Sequence, residues 1–237
     1  MVIGLNSVFF SPNAASDVGS AVQTELSWFD STLAAARAAG KKVWLLMHVP
    51  SGANIHSTKS KLDASGHLSE ATMMWVSDYQ TSFLEILSSY SDIIVMSIAG
   101  HTHMDEYRLP SGALEISPSI SPIDGNNPAF KLITYSADTF EPTDYASLNY
   151  DLANAPSQFD SYYTFSNTYT AQGLLNSALT KLFPMLKIDN NQQTIYRKHY
   201  YSGHDSASPI TDTNWKVYWC GIGYMVMQDV IDCVNSY

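Results

Sequence analysis

Short apolar segments alternate with amphipathic ones over the first part of the chain. Val2–Asn6, Val43–Met47 and Ile93–Ala99 are short and mostly apolar, which predicts buried strands. Gln23–Ala39 and Thr72–Ser88 lie between them and carry apolar residues at helical spacing. Because strands that alternate with helices form crossover units, we predict an α/β fold with a layered, mainly parallel sheet.

The pattern changes in the second half of the chain. Two further strands are predicted at Ala113–Ile116 and Phe130–Tyr135, joined by a loop rich in Pro, Gly and Asn. From about Phe140 the pattern becomes helical and aromatic, which predicts a helical cap packed on the core. We therefore divide the chain into residues 1–140, an α/β core region, and residues 141–237, a helical C-terminal cap.

The composition narrows the class of partner. Of 237 residues, 45% are hydrophobic and 14% charged, which is typical of a packed globular fold. Only 12 residues are Lys or Arg and the net charge is −10, so the basic surface that nucleic acid requires is missing. No apolar stretch reaches the roughly 18–20 residues that span a bilayer. We expect no nucleic-acid partner and no transmembrane segment.

The two cysteines bear on the compartment. Cys220 and Cys233 could form one disulfide or remain two buried thiols. A disulfide would fit a secreted or periplasmic protein, and a surface rich in Ser, Asn, Thr and Tyr points the same way. Met1–Phe10 lacks the basic region of a signal peptide. We expect an extracellular or periplasmic location.

Three histidines follow two of the predicted strands. His101 and His103 lie in a Gly-His-Thr-His turn after Ile93–Ala99, and His48 follows Val43–Met47. The carboxyl ends of parallel strands meet at one edge of a sheet, so the imidazoles can converge. Converging imidazoles are typical of a metal site, and the chemistry they indicate is metal-assisted hydrolysis. The alternative is a set of exposed loop or strand-end histidines.

Other histidines and aromatic residues have simpler interpretations. His56 and His67 lie in a polar loop, where solvated side chains are the default and substrate contact is the alternative. We expect His199 and His204 on the surface of the cap. An aromatic wall for a lipid or choline-like headgroup is conceivable, but ordinary packing is the favoured interpretation for its members, which are Tyr162, Tyr163, Tyr169, Tyr200, Tyr201 and Trp215.

Several motifs together resemble those of a known family. Leu5–Ser7, Leu46–Gly52, Gly100–Glu106, Ser117–Pro122 and Asn127–Pro128 resemble, in order and spacing, the second half of an acid-sphingomyelinase-like phosphodiesterase. That family belongs to the calcineurin-like metallophosphoesterases. The resemblance covers nearly the whole chain and implies an incomplete metallophosphoesterase-type sheet core with a helical C-terminal cap.

The resemblance also implies a site with two metal ions, zinc above all, in which a bridging hydroxide attacks phosphorus. Carried over by position, His48 and His101 would bind one ion and His103 the other. Asp105 and Glu106 would orient the imidazoles.

The same resemblance assigns a substrate role to one loop. Asn126 and Asn127 would contact the substrate, a phosphate ester with a lipid or choline-type headgroup as one option. No catalytic proton donor is identifiable in the chain.

The chain also departs from the family pattern. The family's Asp-x-His, Gly-Asp and Asn-His motifs are absent, and the nearest look-alikes, Asp124–Asn126 and Gly203–Asp205, lie in the wrong places. We favour a carboxyl-terminal portion of a longer enzyme, with a natural short form holding a single zinc as the alternative.

The missing motifs limit the activity expected of this chain. We expect a metal-dependent phosphoric ester hydrolase with little or no activity in isolation. The competing function is a non-catalytic binding module with at most one structural zinc. An incomplete core would leave a sheet edge near Val2–Asn6 or the His48 strand, which self-association or a complementing chain would cover.

Overall fold

The structure, a computed structural model, describes residues 1–206 and 208–237. Its strands are β1 (Val2–Leu5), β2 (Val43–Met47), β3 (Ile94–Ala99), β4 (Glu106–Arg108), β5 (Leu114–Ile116), β6 (Ala129–Tyr135), β7 (Pro142–Asn149) and β8 (Asp160–Thr164). Its α-helices are α1 (Gly19–Ala38), α2 (Ile55–Lys59), α3 (Ser77–Ser89), α4 (Phe165–Thr168), α5 (Leu175–Ile188), α6 (Asn190–Tyr200), α7 (Trp215–Gly223) and α8 (Met227–Ser236). A 3-10 helix covers Ser7–Phe10.

The first sheet contains five strands in the order β1-β2-β3-β5-β4. β1, β2, β3 and β5 are parallel neighbours, and β4 runs antiparallel to β5. Helix α1 connects β1 to β2 and α3 lies between β2 and β3, as parallel neighbours require. The predicted α/β class is therefore confirmed, although β4 was missed and the segment predicted as a loop before α3 contains the short helix α2.

One face of this sheet packs against α1 and α3. Leu26, Phe29 and Leu33 of α1 are buried, because their spacing of three and four residues places them on one side of the helix. Phe29 stacks on Phe83 of α3, with ring centroids 6.0 Å apart. Each such side chain contributes roughly 1.5–3 kcal/mol through burial. This layer fixes the strands whose ends carry the histidines.

The second sheet corrects the prediction of a helical pattern from Phe140. β6, β7 and β8 form an antiparallel sheet, so residues 142–149 and 160–164 are strands and the helices begin at Phe165. Burial along β7 alternates at Tyr145, Ser147 and Asn149. Two of these inward residues are polar, so hydrophobicity alone did not reveal the two-residue period. Division of the chain at residue 140 stays a prediction, and β6 pairs with β7 across it.

The last part of the chain is helical, as predicted. Leu175, Leu179 and Leu182 are buried on one face of α5. Cys220 of α7 and Cys233 of α8 form a disulfide, which resolves the alternative left open by the sequence. None of the helices within residues 1–206 and 208–237 is long and apolar enough to cross a membrane.

The edge strands of the five-stranded sheet are β1 and β4. β1 agrees with the predicted edge at Val2–Asn6, and Val2 is 63% exposed. The His48 strand, β2, lies in the interior of the sheet between β1 and β3, so the alternative edge position was wrong. The covering of the β1 edge by another chain stays a prediction.

Candidate functional site

His48 and His101 lie side by side at the carboxyl ends of two adjacent strands. His48 directly follows β2 and His101 follows β3 by two residues. Their ring centroids are 5.2 Å apart and the ring planes meet at 80°. Both residues are exposed at this edge of the sheet. The structure therefore brings together two of the three histidines singled out by the sequence.

A buried serine holds the His48 turn. The Ser7 Oγ accepts the backbone N–H of His48 at 3.1 Å and that of Val49 at 2.8 Å. The N–H of Gly100 donates to the carbonyl of His48 at 3.0 Å, which joins the turn to the end of β3. Sequence reasoning assigned no role to Ser7, although it belongs to one of the motifs that carried the resemblance.

Both histidines of the Gly-His-Thr-His turn have unusual backbone conformations. His101 has φ 73° and His103 has φ 66°, in the left-handed region that residues with a Cβ seldom adopt. Such conformations cost on the order of 1–3 kcal/mol each and cluster at functional sites. Thr102 N–H donates to Gly100 O at 2.9 Å, and Ser119 N–H donates to His103 O at 3.2 Å. These contacts hold the strained turn in place.

His103 has a separate partner. Its Nδ1 lies 2.6 Å from Oδ2 of Asp124, a half-exposed carboxylate on the loop before β6. The pair is not aligned as a hydrogen bond, and this buried nitrogen has no other partner in the described part of the chain. Sequence reasoning treated Asp124 only as part of a misplaced motif, because the contact depends on how the loop folds back.

The imidazoles suit a metal ion only in part. Partial desolvation of the ring, followed by the proximity of His48 and His103, lowers the pKa of His101, which favours the neutral, metal-binding form. However, residues 1–206 and 208–237 contain no group of three or more His, Cys, Asp or Glu side chains arranged to hold a metal ion. The His48–His101 pair would supply two nitrogen donors, and a metal ion held there would need further ligands.

A cleft of about 240 Å³ opens beside His101. Its wall includes His56 on α2 and three aromatic residues, Tyr200, Tyr201 and Tyr218. Glu106 also lines it and is 5% exposed. Its Oε1 accepts no hydrogen bond from the described residues, and Arg108 Nη2 lies 3.9 Å away. The cleft thus contains a buried carboxylate with little compensation beside aromatic hydroxyl groups.

The predicted orienting role of Asp105 and Glu106 does not match the structure. Asp105 Oδ1 pairs with Lys131 Nζ at 2.8 Å, and its Oδ2 accepts from Tyr163 at 2.9 Å and Ser147 at 3.3 Å. These partners belong to the second sheet, which the sequence did not predict in full. Asp105 therefore joins the two sheets, and Glu106 lines the cleft, instead of orienting the site imidazoles.

The substrate assignment of Asn126 and Asn127 stays a prediction, and both amide groups also make contacts within the protein. Both are buried. Asn126 Nδ2 donates to the carbonyls of Ser119, Ser121 and Asn127, at 3.0–3.2 Å. Asn127 Oδ1 accepts the N–H of Leu152 at 3.1 Å. These contacts stabilise the loop, while Asn126 Oδ1 has no hydrogen-bond partner among the described residues.

A buried ionic cluster connects the sheets behind the site. Lys131 pairs with both Asp105 and Glu115, so two carboxylates face one ammonium group. Burial raises the pKa of Glu115 to about 6, even though Lys131 lowers it. Burial lowers the pKa of Lys131, but Asp105 and Glu115 raise it more, and the net shift is upward.

The remaining histidines differ in their surroundings. His199 is buried, against the expectation of a surface position, and stacks on Tyr163 with ring centroids 3.9 Å apart. Burial lowers its pKa to about 4. His67 is exposed and His204 is half-buried. Tyr163, Tyr169 and Trp215 are buried, as the packing interpretation expects, whereas Tyr200 and Tyr201 are buried but also line the cleft.

Comparisons with known proteins extend this picture. No family model matches the chain. The bovine cyclic GMP-AMP phosphodiesterase SMPDL3A (Bos taurus) is 24% identical over 256 residues, which cover 100% of this chain and 54% of the relative. Sphingomyelinase phosphodiesterase D of Dictyostelium discoideum is 27% identical over 231 residues, which cover 87% of this chain and 50% of that relative. Sphingomyelin phosphodiesterase B of the same organism is 24% identical over 233 residues, which cover 89% of this chain and 33% of that relative.

The chain is similar over most of its length to proteins named cyclic GMP-AMP or sphingomyelin phosphodiesterases, in agreement with the acid-sphingomyelinase-like resemblance. The resemblance recognised in the sequence motifs is thereby confirmed. The chain spans about half the length, or less, of these curated relatives. These relatives are phosphodiesterases by name.

Proposed function

We propose that this chain carries the histidine-bearing part of a metal-dependent phosphodiester hydrolase. The observation that carries the proposal is the pairing of His48 and His101 at the ends of β2 and β3, with ring centroids 5.2 Å apart. His103 follows on the same strained turn. The names of the relatives, which are phosphodiesterases, support this chemistry.

The proposed cofactor is zinc, for which imidazole nitrogen is a preferred ligand. Bound zinc would supply Lewis-acid stabilisation of phosphoryl oxygens and a water molecule of lowered pKa. In this assignment His48 and His101 hold one ion and His103 a second. The backbone bonds from the His48 turn to Ser7 set the position of the first imidazole. Asp124 sets the orientation of His103 through its contact with Nδ1.

The lining of the cleft supports a substrate with a positively charged headgroup. The carboxylate of Glu106 is buried and accepts no hydrogen bond at Oε1, with Arg108 Nη2 3.9 Å away, and Tyr200, Tyr201 and Tyr218 present aromatic rings nearby. A choline-type ammonium would be attracted by the carboxylate and by the ring faces. We therefore propose a phosphodiester that carries such a headgroup, in line with the relatives named sphingomyelin phosphodiesterases.

A complete site needs ligands beyond the histidines described. We propose that they come from further polypeptide, a complementing chain or segment, and that the isolated 237 residues turn over little or no substrate. The disulfide Cys220–Cys233 favours an oxidising compartment, and we propose an extracellular or periplasmic location.

The test combines metal content with turnover. The chain is loaded with zinc, freed of excess ion and measured for zinc per chain and for hydrolysis of bis(4-nitrophenyl) phosphate. The wild type is compared with His101→Ala and with His67→Ala, a control at an exposed histidine outside the site. We expect bound zinc that is lost in His101→Ala only, and any slow turnover of the wild type should be lost with it. Neither zinc nor turnover in the wild type would support the non-catalytic module instead.

A further inference from the structure

One wall of the cleft beside His101 is built from polar side chains. Its members are Asn54, Ser206, Ser208 and Tyr218, which we call the donor wall. They come from the residue before α2, from the segment between α6 and α7, and from α7 itself. Three separate parts of the chain therefore meet at this wall, and their polar groups determine which ligand chemistry it accepts.

Lys59 of α2 is hydrogen-bonded to the donor wall. Its Nζ donates to Ser208 Oγ at 2.8 Å, to the Ser208 carbonyl at 3.2 Å and to Tyr218 Oη at 2.8 Å. An ammonium group has three hydrogens, and these three contacts use them. Lys59 therefore acts on a ligand through its positive charge and through the two hydroxyl groups that it positions.

The donor wall offers hydrogens to a ligand. Ser208 Oγ accepts from Lys59, and Ser206 Oγ accepts the N–H of Ser208 at 3.1 Å. Each hydroxyl group that accepts such a bond keeps its own hydrogen to donate. Asn54 Oδ1 accepts the N–H of Ser57 at 3.0 Å, which leaves the Nδ2 amide hydrogens for other partners. The internal contacts thus favour a ligand that brings acceptor oxygens.

The negative charges of the cleft belong to two residues outside the donor wall, Glu106 and Asp124. Arg108 Nη2 lies 3.9 Å from Glu106, and His103 Nδ1 lies 2.6 Å from Asp124. These neighbours weaken the repulsion that either carboxylate exerts on an anion. The donor wall, with the ammonium group of Lys59 beside it, is therefore the favourable side of the cleft for a negatively charged oxygen.

We propose that Asn54, Ser206 and Ser208, positioned with the help of Lys59, form a metal-independent subsite for a phosphate oxyanion. Phosphate combines negative charge with several acceptor oxygens, which matches converging donors beside one ammonium group. The subsite goes beyond the proposed function, because it needs neither zinc nor the pair of His48 and His101. Free phosphate and the phosphoryl group of an ester share this chemistry, so both are tested.

The experiment is an NMR titration of the isotope-labelled 237-residue chain, freed of metal beforehand with a chelating resin. The probes are inorganic phosphate and dimethyl phosphate. The wild type is compared with Ser208→Ala, with Lys59→Met and with Lys59→Arg, which keeps the charge. Matched controls are Ser60→Ala, at an exposed serine after α2, and Lys61→Met, which removes a positive charge that pairs with Glu70.

We expect phosphate to shift the amide signals of Ser57 and Ser208, which line the cleft. Ser208→Ala and Lys59→Met should each weaken binding at least about fivefold, because each removes hydrogen-bond donors beside an anion. Lys59→Arg should bind more tightly than Lys59→Met, and both controls should stay within about twofold of the wild type. The probe that binds more tightly identifies free phosphate or an ester as the source.

Absence of binding of both probes by the wild type would overturn the proposal. Equal binding by the wild type and Ser208→Ala would do so as well, provided that signals outside the cleft show the same fold. Shifts confined to His48 and His101 would also contradict it, because the anion would then bind the histidine pair. No arm of the titration depends on zinc or turnover, so failure of the subsite and failure of the proposed function are distinguishable.

Discussion

The hydroxyl oxygen of Ser7 accepts the backbone N–H of His48 at 3.1 Å, so the end of β1 fixes the histidine turn that follows β2. The same oxygen accepts the N–H of Val49, and Ser7 is fully buried. One side chain thus satisfies two buried donors next to the candidate site.

Replacement Ser7→Ala should leave both N–H groups without a partner. Buried donors that lose their acceptor cost about 1–3 kcal/mol. We expect a loss of that size in the free energy of unfolding, measured by urea denaturation. Ser27→Ala, at an exposed position of α1, is the matched control and should change it by less than about 0.5 kcal/mol. Equal effects of the two substitutions would contradict the role given to Ser7.

Gly221 allows α7 to approach α2, which carries His56 at the cleft. A Cβ at this position would lie 2.1 Å from Ile55 Cδ1. Gly221→Ala should gain up to about 1 kcal/mol of helix propensity but lose about 1–3 kcal/mol through overpacking, so we expect a net loss of stability. Ile55→Val removes the clashing methyl group. The double variant should therefore be more stable than the two single effects predict, and strict additivity would argue against this contact.

Glu115 makes the stability of the fold depend on pH. Burial raises its pKa from 4.5 to about 6. The stabilisation that the protonated carboxyl gives the folded state is therefore fully present below pH 4.5 and is lost as the pH rises through 6. The shift corresponds to roughly 2 kcal/mol. Glu115→Gln should lose less stability than the wild type between pH 4.5 and pH 7, as measured by denaturation at each pH.

His199 gives the stability of the fold a pH dependence of the opposite sign. Its pKa is lowered from 6.5 to about 4, so its contribution is present above pH 6.5 and is lost as the pH falls through 4. His199→Phe keeps an aromatic ring against Tyr163 and removes the titration. This variant should resist acid better than the wild type. If its pH profile coincided with that of the wild type, the burial of a neutral imidazole would not limit acid stability.

Some features were predictable from the sequence because they depend on local pattern. β2 and β3 are apolar runs of strand length. Because His48 and His101 come just after these runs, the sequence predicted that both lie at the edge formed by the carboxyl ends of the strands. β7 was missed because polar Ser147 and Asn149 face inward. The contacts of Asp105 and Asn126 depend on partners that are distant in sequence or on the fold of the loop, so residue type alone did not reveal them.

The central claim is that His48 and His101 bind one metal ion together. The most direct test is a calorimetric titration of the metal-free chain with zinc. The wild type is compared with His48→Ala, His101→Ala, the double variant and the control His67→Ala. The account predicts a binding event that either single substitution weakens at least about 100-fold, with no further loss in the double variant and no change in His67→Ala. Zinc binding that survives both single substitutions, or that the wild type lacks, would contradict it.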